Sequence, residues 1–329
     1  MGLVRFLLAI LVVLSHLDKR FFGLNLGVFA VVVFYLFCGF SQSKVWARYL
    51  KIADKNAIKA YYFNRALRIL PQYFFALFLG MIICLVGSKS SYLSAGPSIL
   101  GLIQNILLIP LNYFMFTGVD HFTLVPPAWS LALEIQFYLL FPFIARDKFY
   151  GFTLVFALSL SVFVLSQFHY LNLEYFGYRL LPGMLFVFLA GYLFNAHLKI
   201  SRVRYLIIAL WILTFVYAIV LLTFKMVAPF NLEVLLGLLV GLPATYIFSR
   251  NRFFVSKKID SILGASSYGI FLYHFFVIWG LAFFPLINHA PLLVISLSFI
   301  LALMGHYFIE IPLWHKLSIN NYRHFKFIK

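Results

Sequence analysis

Apolar runs broad enough to cross a bilayer, each closed by a short polar or basic break, recur along most of the chain. A helix crossing the hydrocarbon core needs about 20 mainly apolar residues. By that measure the pattern predicts spans at 3–22, 24–42, 69–87, 128–145, 150–168, 180–197, 204–224, 231–249, 264–287 and 291–312. The expected fold is all-α, a polytopic integral membrane protein of about ten transmembrane helices. In the first run, Phe6 to Leu14 behind Arg5 resembles a signal-peptide core. The following Ser15-His16-Leu17-Asp18-Lys19-Arg20 lacks a small-residue cleavage site, so a retained helix is expected. Two stretches fall outside the helical pattern, a basic loop from Ser43 to Arg68 and a segment from Ser88 to Pro127. Within the second, Ile99 to Pro110 is apolar but too short to span, and reads as interfacial or re-entrant. Its neighbours Asn105, Asn112, Asp120 and His121 suit either a polar ligand or a plain surface loop.

Composition sharpens this picture. Hydrophobic residues make up 64% of the chain and charged residues 11%, which excludes both an ordinary soluble enzyme and a disordered chain. A net charge of +17 would suggest nucleic acid on a soluble protein, but its placement argues otherwise. With the N-terminus inside, the loops on that side hold every Lys and Arg except Lys19, Arg20, Lys89, Arg179 and Lys225. Such a bias marks the cytoplasmic face, so both termini are expected there, in a plasma (bacterial inner) membrane. The basicity then meets membrane lipids through their anionic headgroups, with no nucleic acid. The expected organisation is a membrane domain over 1–315 and a basic cytoplasmic tail over 316–329, with no fused soluble domain. Cys38 and Cys84 fall inside spans and read as buried thiols, not as a disulfide or zinc site.

Polar side chains are expensive in lipid, so those inside spans are candidates for function. Arg5 and His16 are eleven residues apart on the first helix, a rise of about 16.5 Å and a rotation about 20° beyond three turns. They therefore share a face, with a cation at one edge of the bilayer and an imidazole past its middle. Ser130, Glu134 and Tyr138 recur at helical spacing. Glu134 at membrane depth needs a cation, a histidine or hydrogen-bond donors, so it either orients a histidine or joins two helices. Arg65 and Arg68 lie at the cytoplasmic mouth of the third span, a pair able to grip phosphate but also in keeping with a positive-inside bias. His306 and Glu310, four apart, favour an ion pair over a metal site, and no metal is expected. His274 reads as a packing residue.

Taken together these segments resemble the acyltransferase-3 family of integral membrane O-acyltransferases. Arg5 and His16 match its arginine, ten residues, histidine pattern, and residues 63–73 resemble its arginine-rich segment ending in R-I-x-P-x-Y. Trp129 to Pro142 is similar to W-S-L-x-x-E-x-Q-F-Y-L-x-F-P. Ser267 to His274 and Tyr307 to Pro312 are similar to S-Y-x-x-Y-L-x-H and Y-x-x-E-x-P. The resemblance implies transfer of an acyl group, usually acetyl, from cytoplasmic acyl-CoA to a hydroxyl, most often on an extracytoplasmic glycan or glycolipid. It implies His16 as the catalytic histidine, Arg5 as its support and Arg65 with Arg68 on the CoA phosphates. Ile135 stands where many members carry a second acidic residue, which argues against a two-carboxylate scheme.

The mechanism expected on this footing has His16 accept the acceptor hydroxyl's proton as that oxygen attacks the thioester, with Glu134 orienting the imidazole. An acyl-histidine intermediate is the other chemical route. A homo-oligomer or a glycan-synthesis complex would supply protein partners. A transporter or flippase relaying protons through His16 and Glu134 is the competing reading. Against it stand the lack of an internal repeat and of paired broken helices.

Overall fold

In the computed structural model the described residues are 1–53, 56–146, 150–196, 200–250, 255–284 and 290–322. They are overwhelmingly helical and contain no strand, only an isolated bridge between Phe21 and Leu24. In chain order the helices are α1 (Gly2–His16), α2 (Leu26–Ala53), α3 (Ala57–Leu85), α4 (Ile99–Leu107), α5 (Phe114–Thr117), α6 (Ala128–Arg146), α7 (Tyr150–Gln167) and α8 (Leu181–Ala196). They continue with α9 (Ser201–Thr223), α10 (Asn231–Arg250), α11 (Lys257–Leu281), α12 (Pro291–Gly305) and α13 (Ile311–Tyr322). Among the described residues nine segments are long and apolar enough to span; α1 is a shorter apolar helix. The protein is thus the all-helical, multi-pass membrane protein that the apolar pattern predicts.

The structure corrects several boundaries. α1 ends at His16 and not near residue 22, because the charged run Asp18-Lys19-Arg20 follows and Asp18 turns the chain at φ 54°. The expected basic loop from Ser43 to Arg68 is helical wherever it is described: α2 runs on to Ala53 and α3 already begins at Ala57. Hydropathy marks only where a helix leaves the lipid. The helix itself continues through Trp46-Ala47-Arg48-Tyr49-Leu50-Lys51, where no Gly or Pro interrupts it. Likewise α13 carries helix past the expected start of the tail at 316; residues 323–329 lie outside the described residues. The short apolar run is α4, and the turns Ile109–Thr117 leave it at 104°, a bend suited to a re-entrant or broken span. Leu108 makes the break at φ 65°, with Pro110 just beyond it.

The polar residues of that segment turn out to be architectural. Buried Asn105 donates to the carbonyls of Gly101 (2.8 Å) and Phe122 (2.9 Å) and accepts from the Leu124 amide (2.9 Å). Its own carbonyl takes the Tyr73 hydroxyl at 2.6 Å, so one amide ties α4 to the stretch before α6. Asn112 donates to the Trp129 carbonyl at 3.2 Å. Asp120 and His121 remain at the surface.

The chain divides into two compact units. The first comprises Met1–Val13, Tyr49–Ile135 and Val255–Lys329, and the second Leu14–Arg48 and Gln136–Phe254. In the first, the amino terminus meets the Asp260 carboxylate at 3.1 Å and α11 packs along α12. In the second, α2 and α8 approach at backbone distance. A Cβ on Gly39 would lie 1.8 Å from the Phe188 carbonyl oxygen, and one on Gly191 would lie 2.0 Å from that of Leu36. Small residues let membrane helices gain van der Waals contact that lipid cannot supply. Tyr35 and Phe137 stack on Phe188 beside this crossing, with centroids at 4.6 and 4.5 Å.

Gly191→Leu is expected to destabilise the protein by about 1–3 kcal/mol through overpacking. The unfolding midpoint of the purified protein in lipid nanodiscs measures this, and a midpoint equal to wild type would contradict the reciprocal glycine contact.

Candidate active site

The first unit gathers three of the motif segments around one carboxylate. Glu310 is 5% exposed. It pairs through Oε1 with the Arg68 guanidinium, and its Oε2 accepts from Gln72 Nε2 at 2.5 Å and lies 2.8 Å from His306 Nδ1. Arg68 and Gln72 share a face of α3 at i and i+4. Gln72 Oε1 accepts from the Tyr273 hydroxyl at 3.3 Å, which brings in α11. On the same helix the Tyr268 hydroxyl donates to the Ile69 carbonyl at 3.1 Å, close to Pro71, whose missing N–H loosens the α3 ladder there. A buried carboxylate is tolerated only when charges and donors surround it, and here they come from α3 and from His306 within Glu310's own turn.

The turn holding His306 and Glu310 is π-helical, spanning His306–Glu310 between α12 and α13. Such turns are rare and cluster at functional sites. The expected His306–Glu310 pair is therefore present, but as one edge of a larger network. Among the described residues no three His, Cys, Asp or Glu side chains come together as a metal site would require.

The other expected residues of this unit fall as follows. Arg65 is half-buried on α3 and hydrogen-bonds the Asn64 side-chain oxygen. Glu134, half-buried on α6, is within electrostatic reach of Tyr268, as is Arg68. The Ser130 hydroxyl donates back to the Pro127 carbonyl at 3.2 Å in the first turn of α6. Arg5 is half-buried on α1, with its amide closing the first turn onto Met1. His274 is fully buried, its Nδ1 3.0 Å from the Ile270 carbonyl, in keeping with a packing role. Tyr138 belongs to the second unit, its hydroxyl 3.4 Å from Cys38 Sγ.

His16 is in the second unit, exposed at the last position of α1 and within electrostatic reach of the Arg179 guanidinium. Its backbone is fixed from α2. A Cβ on Gly27 would fall 2.2 Å from Ser15 Oγ, so the end of α1 abuts the start of α2 closely. Asn25 turns the chain between them, its side chain accepting from the Gly27 amide at 2.9 Å and its own amide donating to Glu233 Oε1 at 3.3 Å. Arg179 lies in a second π-helical turn, Tyr175–Arg179. It donates to Glu174 Oε1 at 2.7 Å and lies over the rings of Tyr178 and Phe230 at 5.6 and 5.7 Å.

Sequence reasoning did not assign Gln72, Tyr268 and Tyr273 any role, although all three stand inside the quoted motifs. Glu174 and Glu233 have no reading from the sequence, and Arg179 enters there only as a charge outside the basic face. A carboxylate opening the apolar run of α10, as Glu233 does, was the available signal.

The pattern of a family described as an acyltransferase domain matches residues 1–311. An uncharacterized protein of Aquifex aeolicus (strain VF5) is 36% identical over 182 residues, 54% of this chain and 78% of that protein. No solved structure matches.

Arg68→Ala and Glu310→Gln are expected to be non-additive, with a coupling of about 1–2 kcal/mol in a double-mutant cycle of unfolding free energies. Additive losses would mean that the pair contributes no mutual stabilisation.

Proposed function

The chain belongs to the acyltransferase-3 family, and from that premise we propose that it moves an acyl group from cytoplasmic acyl-CoA to a hydroxyl of a cell-surface or lipid-linked glycan. The family match and the apolar helices make it a multi-pass membrane acyltransferase. Acetyl-CoA as donor, a glycan as acceptor, a plasma membrane with both termini cytoplasmic, and His16 as base are the further content of the proposal. The observation that carries it is an accessible imidazole closing α1, eleven residues beyond Arg5, within reach of the Arg179 cation.

The steps follow from charge and reach. The CoA phosphates cannot enter hydrocarbon, so the nucleotide stays at the basic end of α3, where Arg65 holds it. Arg68 serves there in an orientation set by Glu310. The slender pantetheine arm carries the thioester inward. Neutral His16 accepts the acceptor hydroxyl's proton as that oxygen bonds to the thioester carbonyl carbon. The tetrahedral intermediate then expels the CoA sulfur, which takes the proton back from the imidazolium. Arg179 offsets the negative charge that develops on the carbonyl oxygen. Glu134 acts from its place near Tyr268, as a partner of the first unit's polar network.

Reconstituted protein with labelled acetyl-CoA and membrane glycan acceptors tests this. His16→Ala is expected to lower transfer by about 10²–10⁴-fold, the range of general acid–base catalysis; wild-type turnover in that variant would end the assignment. Arg65→Ala is expected to raise KM for acyl-CoA roughly tenfold through loss of a charged phosphate contact, with KM for the acceptor unchanged. Equal effects on both substrates would remove Arg65 from the donor site.

A further inference from the structure

The second unit has a cleft of about 430 Å3 at the end where α7 stops and α10 starts, lined by residues 169–174 and 228–230. Its volume is toward the lower end of the usual range for small-ligand pockets, about 300–1,000 Å3, enough for a mono- or disaccharide. His169, at φ 62°, is the left-handed cap that stops α7, its amide donating to the Ser166 carbonyl and that of Tyr170 to the Leu165 carbonyl, both at 3.0 Å. The other wall is held in a costly backbone conformation, since Phe230 is not glycine and has φ 76°. Such strain persists only where the surroundings over-determine it, and it gathers at ligand sites.

Those surroundings are visible. Asn231, almost fully buried, accepts from the Ala228 amide at 3.1 Å and donates to the Met226 carbonyl at 3.2 Å, folding the turn that carries Phe230. The Phe230 ring stacks on Tyr178 at 5.5 Å and 17°, and Arg179 lies over it. On the opposite wall Asn172 accepts from the Tyr175 amide at 2.9 Å, and Glu174 accepts from Arg179 at 2.7 Å. Tyr170 projects from this wall 79% exposed. The cleft therefore combines two aromatic rings with amide, carboxylate and imidazole groups, and its Glu174 holds Arg179, the cation within electrostatic reach of His16.

We propose that this cleft binds a neutral pyranose ring of the acceptor glycan, an assignment that rests on the acyl-transfer reading for its link to catalysis. The flat apolar face of a pyranose ring packs on Tyr170 and Phe230, while vicinal hydroxyls meet Asn172, Glu174 and His169. Neutrality follows from the ion pair: the one carboxylate of the lining, Glu174, is already held by Arg179, and an acidic sugar would compete with it for that guanidinium where a neutral one leaves the pair intact. Arg179 then joins acceptor site and base, since Glu174 orients it from the cleft side.

The test uses the full-length protein in phospholipid nanodiscs, without glycoside detergents. Saturation-transfer NMR is recorded with methyl glucoside, methyl galactoside and methyl N-acetylglucosaminide, and with methyl glucuronide as the charged counterpart. At least one neutral glycoside is expected to bind, more tightly than the glucuronide. Tyr170→Ala, at an exposed position that folding does not depend on, is expected to weaken that binding about tenfold. Asn172→Ala should do likewise. In labelled acyl transfer Tyr170→Ala should raise KM for the bound glycoside about tenfold and leave KM for acyl-CoA as in wild type. Binding of no neutral glycoside, preferred binding of the glucuronide, or binding unaltered in both variants would overturn the assignment. Tyr170-dependent glycoside binding in a protein that moves no label from acetyl-CoA would support the cleft and overturn the acyl-transfer reading.

Discussion

A carboxylate withdrawn from water has to be surrounded by positive charge or by donors, and the first unit is arranged around that necessity at Glu310. Leaving one partner of a buried pair alone costs far more than the intact pair contributes. Arg68, Gln72 and His306 are therefore held in a mutual arrangement that none could keep singly. Tyr273 extends the network to α11, which makes Gln72 a link between a carboxylate and a phenol. The consequence for chemistry is orientation: an arginine in contact with solvent acquires a fixed direction from a buried partner.

The same design recurs in the second unit with the roles exchanged. There the arginine is the more buried member, and Glu174 together with two aromatic rings fixes it. Both arrangements sit on π-helical turns, Tyr175–Arg179 and His306–Glu310. An i→i+5 turn inserts an extra residue and rotates the side chains beyond it out of the register of the preceding helix. It re-aims a polar group without ending the membrane span, which a loop at that depth would do.

The helices were legible because apolar runs of the right length have few alternatives in a membrane chain; the quoted motifs named Arg68 and Glu310, and helical spacing from Glu310 named His306, before any geometry was known. What could not be read was partnership. Arg68 and Glu310 are 242 positions apart, and an arginine at a basic edge looks the same in sequence whether it faces phosphate, lipid or a carboxylate. Asn105 and Asn112 were ambiguous for the same reason, since amides that tie down backbone and amides that bind ligand share one composition. The basic segment after Ser43 was misread because apolarity and helicity end at different places. Arg179 was counted as a loop charge; its importance comes from a π turn and two stacked rings that no spacing rule reveals.

The length of α1 has a consequence for the lipid. Its 15 residues extend only about 22 Å along the helix axis, whereas the hydrocarbon layer of a typical bilayer is about 30 Å thick. Hydrophobic mismatch of this size is relieved by local thinning of the membrane and by flanking polar side chains reaching for the headgroups. The relief falls where Ser15 and His16 meet the Asp18-Lys19-Arg20 run. Water is thereby drawn toward the imidazole from one leaflet, so the thickness of the host bilayer becomes a determinant of how wet His16 is.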